Sequence, residues 1–136
     1  QARLSVATID QLAAAALYDV GPSYYEEVRR EYERRRDTIF REIRKIPGVV
    51  CHEPKGAFYM MAKLPVDDAD AFQQFLLTDF SDQGQTVMFA PGEGFYATPG
   101  LGVDEIRIAY VLNCEELVRA AELLRLGLAA YNAAKA

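Results

Sequence analysis

Histidine, cysteine and excess positive charge are all scarce in this chain, and each shortage removes a class of function. One histidine and two cysteines in 136 residues leave little for a metal site. Cys51 and Cys114 lie far apart with no CxxC partner and no neighbouring ligand set, so neither a metal nor a disulfide is expected, and both read as reduced, partly buried thiols. His52 follows Cys51 directly in a run that reads as a strand, where neighbouring side chains point to opposite faces. A Cys/His catalytic pair is therefore not expected. Lys and Arg number 15 against 20 Asp and Glu, and are scattered among them, for a net charge of −5. That balance argues against a surface that tracks phosphates, and so against a nucleic-acid partner. No apolar run approaches the roughly 20 residues that cross a bilayer, and no charged-then-apolar leader opens the chain. A soluble, cytoplasmic protein with no membrane partner is the expectation. The first residue is Gln1 rather than Met, which leads us to expect an upstream part in the natural protein.

What is present is enough for one core. The chain is 51% hydrophobic, and its length suits a single domain of ordinary size. Thr8 and Gln11 have capping-box spacing ahead of the apolar run 12–17, which Gly21-Pro22 closes, so a short first helix is expected. Ser23 and Glu26 repeat the spacing before a longer segment in which Tyr25, Val28, Tyr32, Ile39, Ile43 and Ile46 recur at helical intervals. Glu26, Glu27, Arg29, Arg30, Glu33 and Arg34 give that helix a solvated face, and Pro47-Gly48 ends it. Residues 49–52 and 57–64 read as antiparallel strands joined by a four-residue connection, Glu53-Pro54-Lys55-Gly56. Residues 67–69 offer caps for a helix carrying Phe72, Phe75, Leu76 and Phe80.

A third strand is expected over 86–90 and a fourth over 105–112, with Ile106, Ile108, Tyr110 and Leu112 on one face and Arg107, Ala109 and Val111 on the other. Between them, residues 91–102 hold four glycines and two prolines, too many for a helix or a central strand, so an extended loop is expected. Asn113 and Glu116 form another capping box, opening a last helix with Leu117, Ala121, Leu124, Leu128 and Tyr131 in one stripe. The fold class that follows is α/β, a small mixed or antiparallel sheet of about four strands covered by helices.

Two features bear on chemistry. Gly92-Glu93-Gly94-Phe95-Tyr96-Ala97 superficially matches a dinucleotide-binding pattern, but that pattern needs a helix to start at its glycines, and Pro99, Gly100 and Gly102 forbid one. Arg107 is more telling. An arginine within an apolar strand is costly to desolvate unless it meets an anion or a fixed acidic partner. Its fork suits a carboxylate, and periodicity alone leaves a substrate carboxylate and an ion pair with one of the chain's own acids equally open.

The segments Pro54-Lys55-Gly56-Ala57-Phe58-Tyr59, Pro91-Gly92-Glu93-Gly94-Phe95, Gly100-Leu101-Gly102 and Glu105-Ile106-Arg107-Ile108-Ala109-Tyr110, in that order and spacing, resemble the C-terminal small domain of class I aminotransferases of the aspartate aminotransferase type. The resemblance spans essentially the whole chain. It implies the small domain of a fold-type I transferase dependent on pyridoxal 5'-phosphate, with residues 1–22 as the remnant of a larger domain or linker and residues 23–136 as the small domain with its long inter-domain helix. It implies exchange of an amino group between an amino acid, aspartate or a similar one, and a 2-oxo acid, in a parent enzyme that is a homodimer. By position, Arg107 would be the family arginine that binds the substrate α-carboxylate.

The resemblance also implies what lies elsewhere: the family's catalytic lysine and its cofactor-binding residues belong upstream. Lys45, Lys55, Lys63 and Lys135 do not match the family's S-K motif, so no catalytic, cofactor-binding or metal-binding residue, and no bound cofactor, is expected in this chain. Family members often hold a distal substrate carboxylate with an arginine of the neighbouring subunit just before the first helix. Gln1 falls near that position, Arg3 is offset from it and reads as a surface arginine, and Val6 stands where some members have Asn. Two rival readings remain: a lyase or synthase of the same fold, and a small regulatory domain that binds an amino acid through Arg107.

Overall fold

The computed structural model describes residues 6–135, and the chain divides into two compact units, Gln1–Glu31 and Tyr32–Ala136. In the first unit, helix α1 (Thr8–Ala15) runs into a 3-10 turn at Ala16–Asp19. The expected capping box does not form. Thr8 is already helical, Ala7 stands at the cap without a side-chain bond, and Gln11 turns its amide back to the Val6 carbonyl at 2.8 Å. A hydroxyl inside the first turn is one position too late to cap it. Helix α2 (Pro22–Ile43) starts on Pro22, whose missing N–H is harmless at a first helical position. Ser23 thus also lies inside its helix, and Glu26 binds Arg29 and Arg30 at 2.9 and 2.8 Å rather than reaching back to a cap.

The second unit is built on a four-stranded antiparallel sheet of β1 (Val50–Cys51), β2 (Tyr59–Lys63), β3 (Ala90–Pro91) and β4 (Glu105–Ala109), in the order β1-β2-β4-β3. Along β2, burial alternates strictly: Met60 and Ala62 are inside, while Tyr59, Met61 and Lys63 are outside. Only one face is therefore covered, as half-buried antiparallel sheets allow. The cover consists of the later turns of α2, helix α3 (Ala69–Thr78) and helix α4 (Cys114–Lys135). Ile39, Phe72, Leu76, Ile106, Tyr110 and Leu117 are at most 1% exposed, each contributing about 1.5–3 kcal/mol by leaving water. Gly127 lets α3 and α4 approach closely, because a Cβ there would meet Leu76 Cδ2 at 2.3 Å.

Two caps form as the spacing implies. Asp68 accepts from the Asp70 and Ala71 amides at 2.8 and 3.0 Å. Asn113 and Glu116 exchange bonds at 2.9 and 3.3 Å at the head of α4.

Three strand boundaries differ from expectation. The β1–β2 pairing is antiparallel, with Cys51 opposite Ala62, but the connection runs through residues 52–58 and is longer than four residues. Of the expected strand 86–90 only Ala90 pairs, joined by Pro91. Part of the rest of that segment bonds to α3 instead: the Thr86 hydroxyl donates to the Leu76 carbonyl at 2.6 Å, and the Phe89 amide to Gln73 Oε1 at 3.0 Å. An amide already bonded to a helix side chain, like that of Phe89, is not available to a ladder. Strand β4 stops at Ala109 rather than residue 112, and Arg35 Nη1 takes the Val111 carbonyl at 2.6 Å. Among the described residues, no helix is long and apolar enough to cross a membrane.

Candidate functional site

Met61 stands directly opposite Arg107 in the β2–β4 register, and Tyr59 opposite Ala109. Directly opposed residues in an antiparallel pair share a face, so Arg107, Tyr59 and Met61 all lie on the face opposite the one that buries Met60, Ala62 and Ile106. The expected orientation of Arg107, away from the Ile106 side, is what the strand adopts.

Arg107 has two neighbours that periodicity could not reveal. Its guanidinium carbon lies 4.3 Å from the centre of the Tyr59 ring and 4.4 Å from that of Phe95. Tyr59 comes from β2 and Phe95 from the turn that follows β3, so the two rings approach from either side of β4 in the sheet order. The electron-rich faces of the rings compensate part of the guanidinium's desolvation, by about 0.5–2 kcal/mol each. No acid takes its fork: among the described residues, the Arg107 side chain has no ion pair or hydrogen bond. A groove of about 320 Å³ borders it, lined by Tyr59, Met88, Ala90, Ala109 and Leu112 among others, with Arg107 its one charged lining residue.

The glycine-rich loop holds Phe95 in place. No α-helix begins at its glycines; a 3-10 turn, Glu93–Phe95, forms instead, which removes the helix N-terminus that a pyrophosphate would need. The Gly92 amide donates to the Glu105 carbonyl at 2.7 Å, and a Cβ at Gly92 would lie 2.7 Å from that oxygen. The Tyr96 hydroxyl donates to the Glu105 carboxylate, which holds the phenol's pKa above its ordinary value. Gly102, at φ +75°, brings the chain back across the Tyr96 ring, with room for no side chain: a Cβ would meet Cε2 at 2.4 Å.

The remaining candidates separate from this site. Lys45 pairs with Glu42 at 2.6 Å, Lys63 with Asp104 at 2.7 Å and Lys135 with Asp67 at 2.8 Å, while Lys55 is exposed in the 52–58 connection. Asp104 raises the pKa of Lys63, and Asp67 and Tyr131 raise that of Lys135. Both shifts favour the protonated amine of Lys63 and of Lys135, whereas an amine that attacks a carbonyl must be lowered. The described residues thus offer an open arginine fork, which suits an anion, and no buried, unpaired lysine amine to hold a pyridoxal phosphate. Burial pushes the Cys51 thiol up, opposite to the shift of a reactive cysteine. Gln1 and Arg3, the positions weighed for a second carboxylate, lie outside the described residues.

Comparison with known proteins gives the chain's family. The family model for aminotransferase class I and II matches residues 3–124. An aspartate aminotransferase of Bacillus subtilis is 32% identical over 126 residues, covering 87% of this chain and 29% of that protein. An LL-diaminopimelate aminotransferase of Oleidesulfovibrio alaskensis is 31% identical over 112 residues, covering 82% and 26%. The chain therefore spans less than a third of the length of these relatives. The fold matches that of the α-aminoadipate aminotransferase of Thermus thermophilus complexed with N-(5'-phosphopyridoxyl)-L-leucine, with a TM-score of 0.69 at 22% identity over 92% of this chain and 30% of that one. With its family model covering most of its length, the chain belongs to the class I and II aminotransferases.

Proposed function

We propose that this chain is the substrate-gripping small domain of a longer, pyridoxal-phosphate-dependent aminotransferase, and that Arg107 binds the α-carboxylate of the amino acid. The observation that carries this reading is an arginine in mid-sheet, bounded by two aromatic rings and unpaired with any acid of the described residues. A structural arginine in such a place has an acidic partner within the chain. One left with only ring neighbours has its donors available to an incoming carboxylate, which the planar fork takes through two parallel bonds. In this reading residues 1–22 belong to a larger domain or linker and residues 23–136 to the small domain, and the parent works as a cytoplasmic homodimer.

The substrates are an amino acid, aspartate or a near relative, and a 2-oxo acid, in keeping with relatives named for aspartate and LL-diaminopimelate. The cofactor would supply the electron sink for the amino-group exchange; its lysine and phosphate site belong to other parts of the parent. What this chain contributes is position, holding the carboxylate so that the reacting carbon meets the chemistry in one orientation. The test is Arg107→Lys in the full-length enzyme, which keeps the charge and removes the fork. Carboxylate binding should weaken by about 1.5–3 kcal/mol, the worth of a hydrogen bond to a charged group, with cofactor loading unchanged. A lowered melting temperature with unaltered affinity for carboxylate inhibitors would identify Arg107 as structural and refute the clamp.

A further inference from the structure

Resting on the reading of Arg107 as the carboxylate clamp, we infer that Tyr59 and Phe95 are positioning residues that hold its guanidinium in the orientation a carboxylate needs, and that the Tyr96–Glu105 bond keeps Phe95 in that place.

An arginine carries many rotamers, and ordering it on binding weakens affinity. Among the described residues no acid fixes Arg107, and the two rings within 4.4 Å are the groups set against its guanidinium. They are held differently. Tyr59 sits in a strand whose register is set by five consecutive pairs with β4, so its ring is a rigid wall. Phe95 sits on a loop that owes its course to the Gly92 amide on Glu105, the Tyr96 hydroxyl on the same residue, and the tight crossing at Gly102. Phe95 and Tyr96 are both substantially exposed, so burial contributes little to their placement. The latch on Glu105 does that instead, two residues along β4 from the arginine it serves. The fork is thus preorganised from one side by the sheet and from the other by a latched loop.

The experiment uses the full-length enzyme and isothermal titration with succinate and 3-phenylpropionate, two carboxylates with no amino group to transfer. Phe95→Leu and Tyr59→Leu keep apolar bulk and remove the aromatic face. Each should raise both dissociation constants about tenfold, the effect of losing one partly desolvated cation–π contact. Phe95→Tyr should restore binding, and Tyr96→Phe, which removes only the latching hydroxyl, should weaken it in the same direction as Phe95→Leu by a smaller factor. In an Arg107→Lys background the leucine substitutions should have little further effect, since residues acting through one group are not additive. If Arg107→Lys weakens binding while Phe95→Leu and Tyr59→Leu do not, the positioning role is overturned and the clamp stands. If Arg107→Lys leaves both constants unchanged, or if neither carboxylate binds the unsubstituted enzyme, the clamp and the positioning role fall together. A loss of binding in Phe95→Leu that Phe95→Tyr does not restore, or that persists at full size beside Arg107→Lys, also overturns the inference.

Discussion

Arg107 and Gly102 show how much a single residue in this sheet depends on its neighbours. The arginine tolerates its central position because it lies on the less buried face of the sheet and because two rings stand against it. Gly102 is required for two reasons at once, a positive φ of +75° and a crossing too tight for a Cβ beside Tyr96. Gly102→Ala should therefore destabilise by about 1–3 kcal/mol in denaturant titration. It should also return the Tyr96 phenol toward its ordinary pKa as the bond to Glu105 is lost, read by the Tyr96 ring resonances at alkaline pH. Gly94→Ala is the control, with open space around it, and should be near neutral. Equal effects of the two substitutions would refute this account. The sequence pointed to Arg107 by its place in an apolar strand, but Tyr59 and Phe95 are 48 and 12 residues away along the chain. Only the β2–β4 register and the course of the loop bring them to it.

At the scale of elements, helix starts separate by what their first residues can reach. The Asn113–Glu116 box forms because Asn113 stands one residue ahead of the helix, with both side chains bonding back. Asn113→Ala should cost about 1 kcal/mol of stability, measured by thermal unfolding, whereas Thr8→Ala, at a box that does not form, should change little. A cost at Thr8 equal to that at Asn113 would contradict the cap assignments. In α2, Arg29 and Arg30 hold the Glu26 carboxyl down to about 2, from a reference of 4.5, chiefly through their hydrogen bonds. A depressed carboxylate stabilises above its unfolded pKa, so this contribution is complete above about 4.5 and is lost as pH falls through about 2. A carbon-detected NMR titration should place the Glu26 midpoint near 2 and return it toward 4.5 in an Arg29→Gln/Arg30→Gln variant; an unchanged midpoint would show that the arginines are not the cause.

For the whole molecule, the lysines decide what the chain can do alone. With Lys45, Lys63 and Lys135 tied to carboxylates and Lys55 exposed, the isolated chain should not form a stoichiometric, borohydride-trappable adduct with pyridoxal phosphate on one specific lysine. Absorbance titration followed by mass mapping checks this, and a single modified lysine at full occupancy would overturn it. The first unit bears on assembly. Val6, Ile9, Leu12, Leu17 and Tyr18 are all more than half exposed, a run of apolar surface that soluble domains rarely leave open. The isolated chain should self-associate in sedimentation velocity. A monodisperse monomer with α1 fully protected from hydrogen exchange would count against this expectation.

The α/β class, the antiparallel pairing of β1 with β2, the working caps of α3 and α4 and the direction of Arg107 all follow from local rules. Strand alternation, Asx and capping-box chemistry, and the glycine content of residues 91–102 each act within a few residues of sequence, so they are legible there. The ends of β3 and β4, the idle boxes at Thr8 and Ser23, and the ring contacts of Arg107 depend on partners far along the chain. Leu76 accepts from the Thr86 hydroxyl and Gln73 from the Phe89 amide, and Arg35 takes the Val111 carbonyl beyond β4. Which group satisfies a backbone amide or carbonyl is a competition among everything the fold brings within reach. That competition has no periodic signature, so the tertiary structure alone decided it.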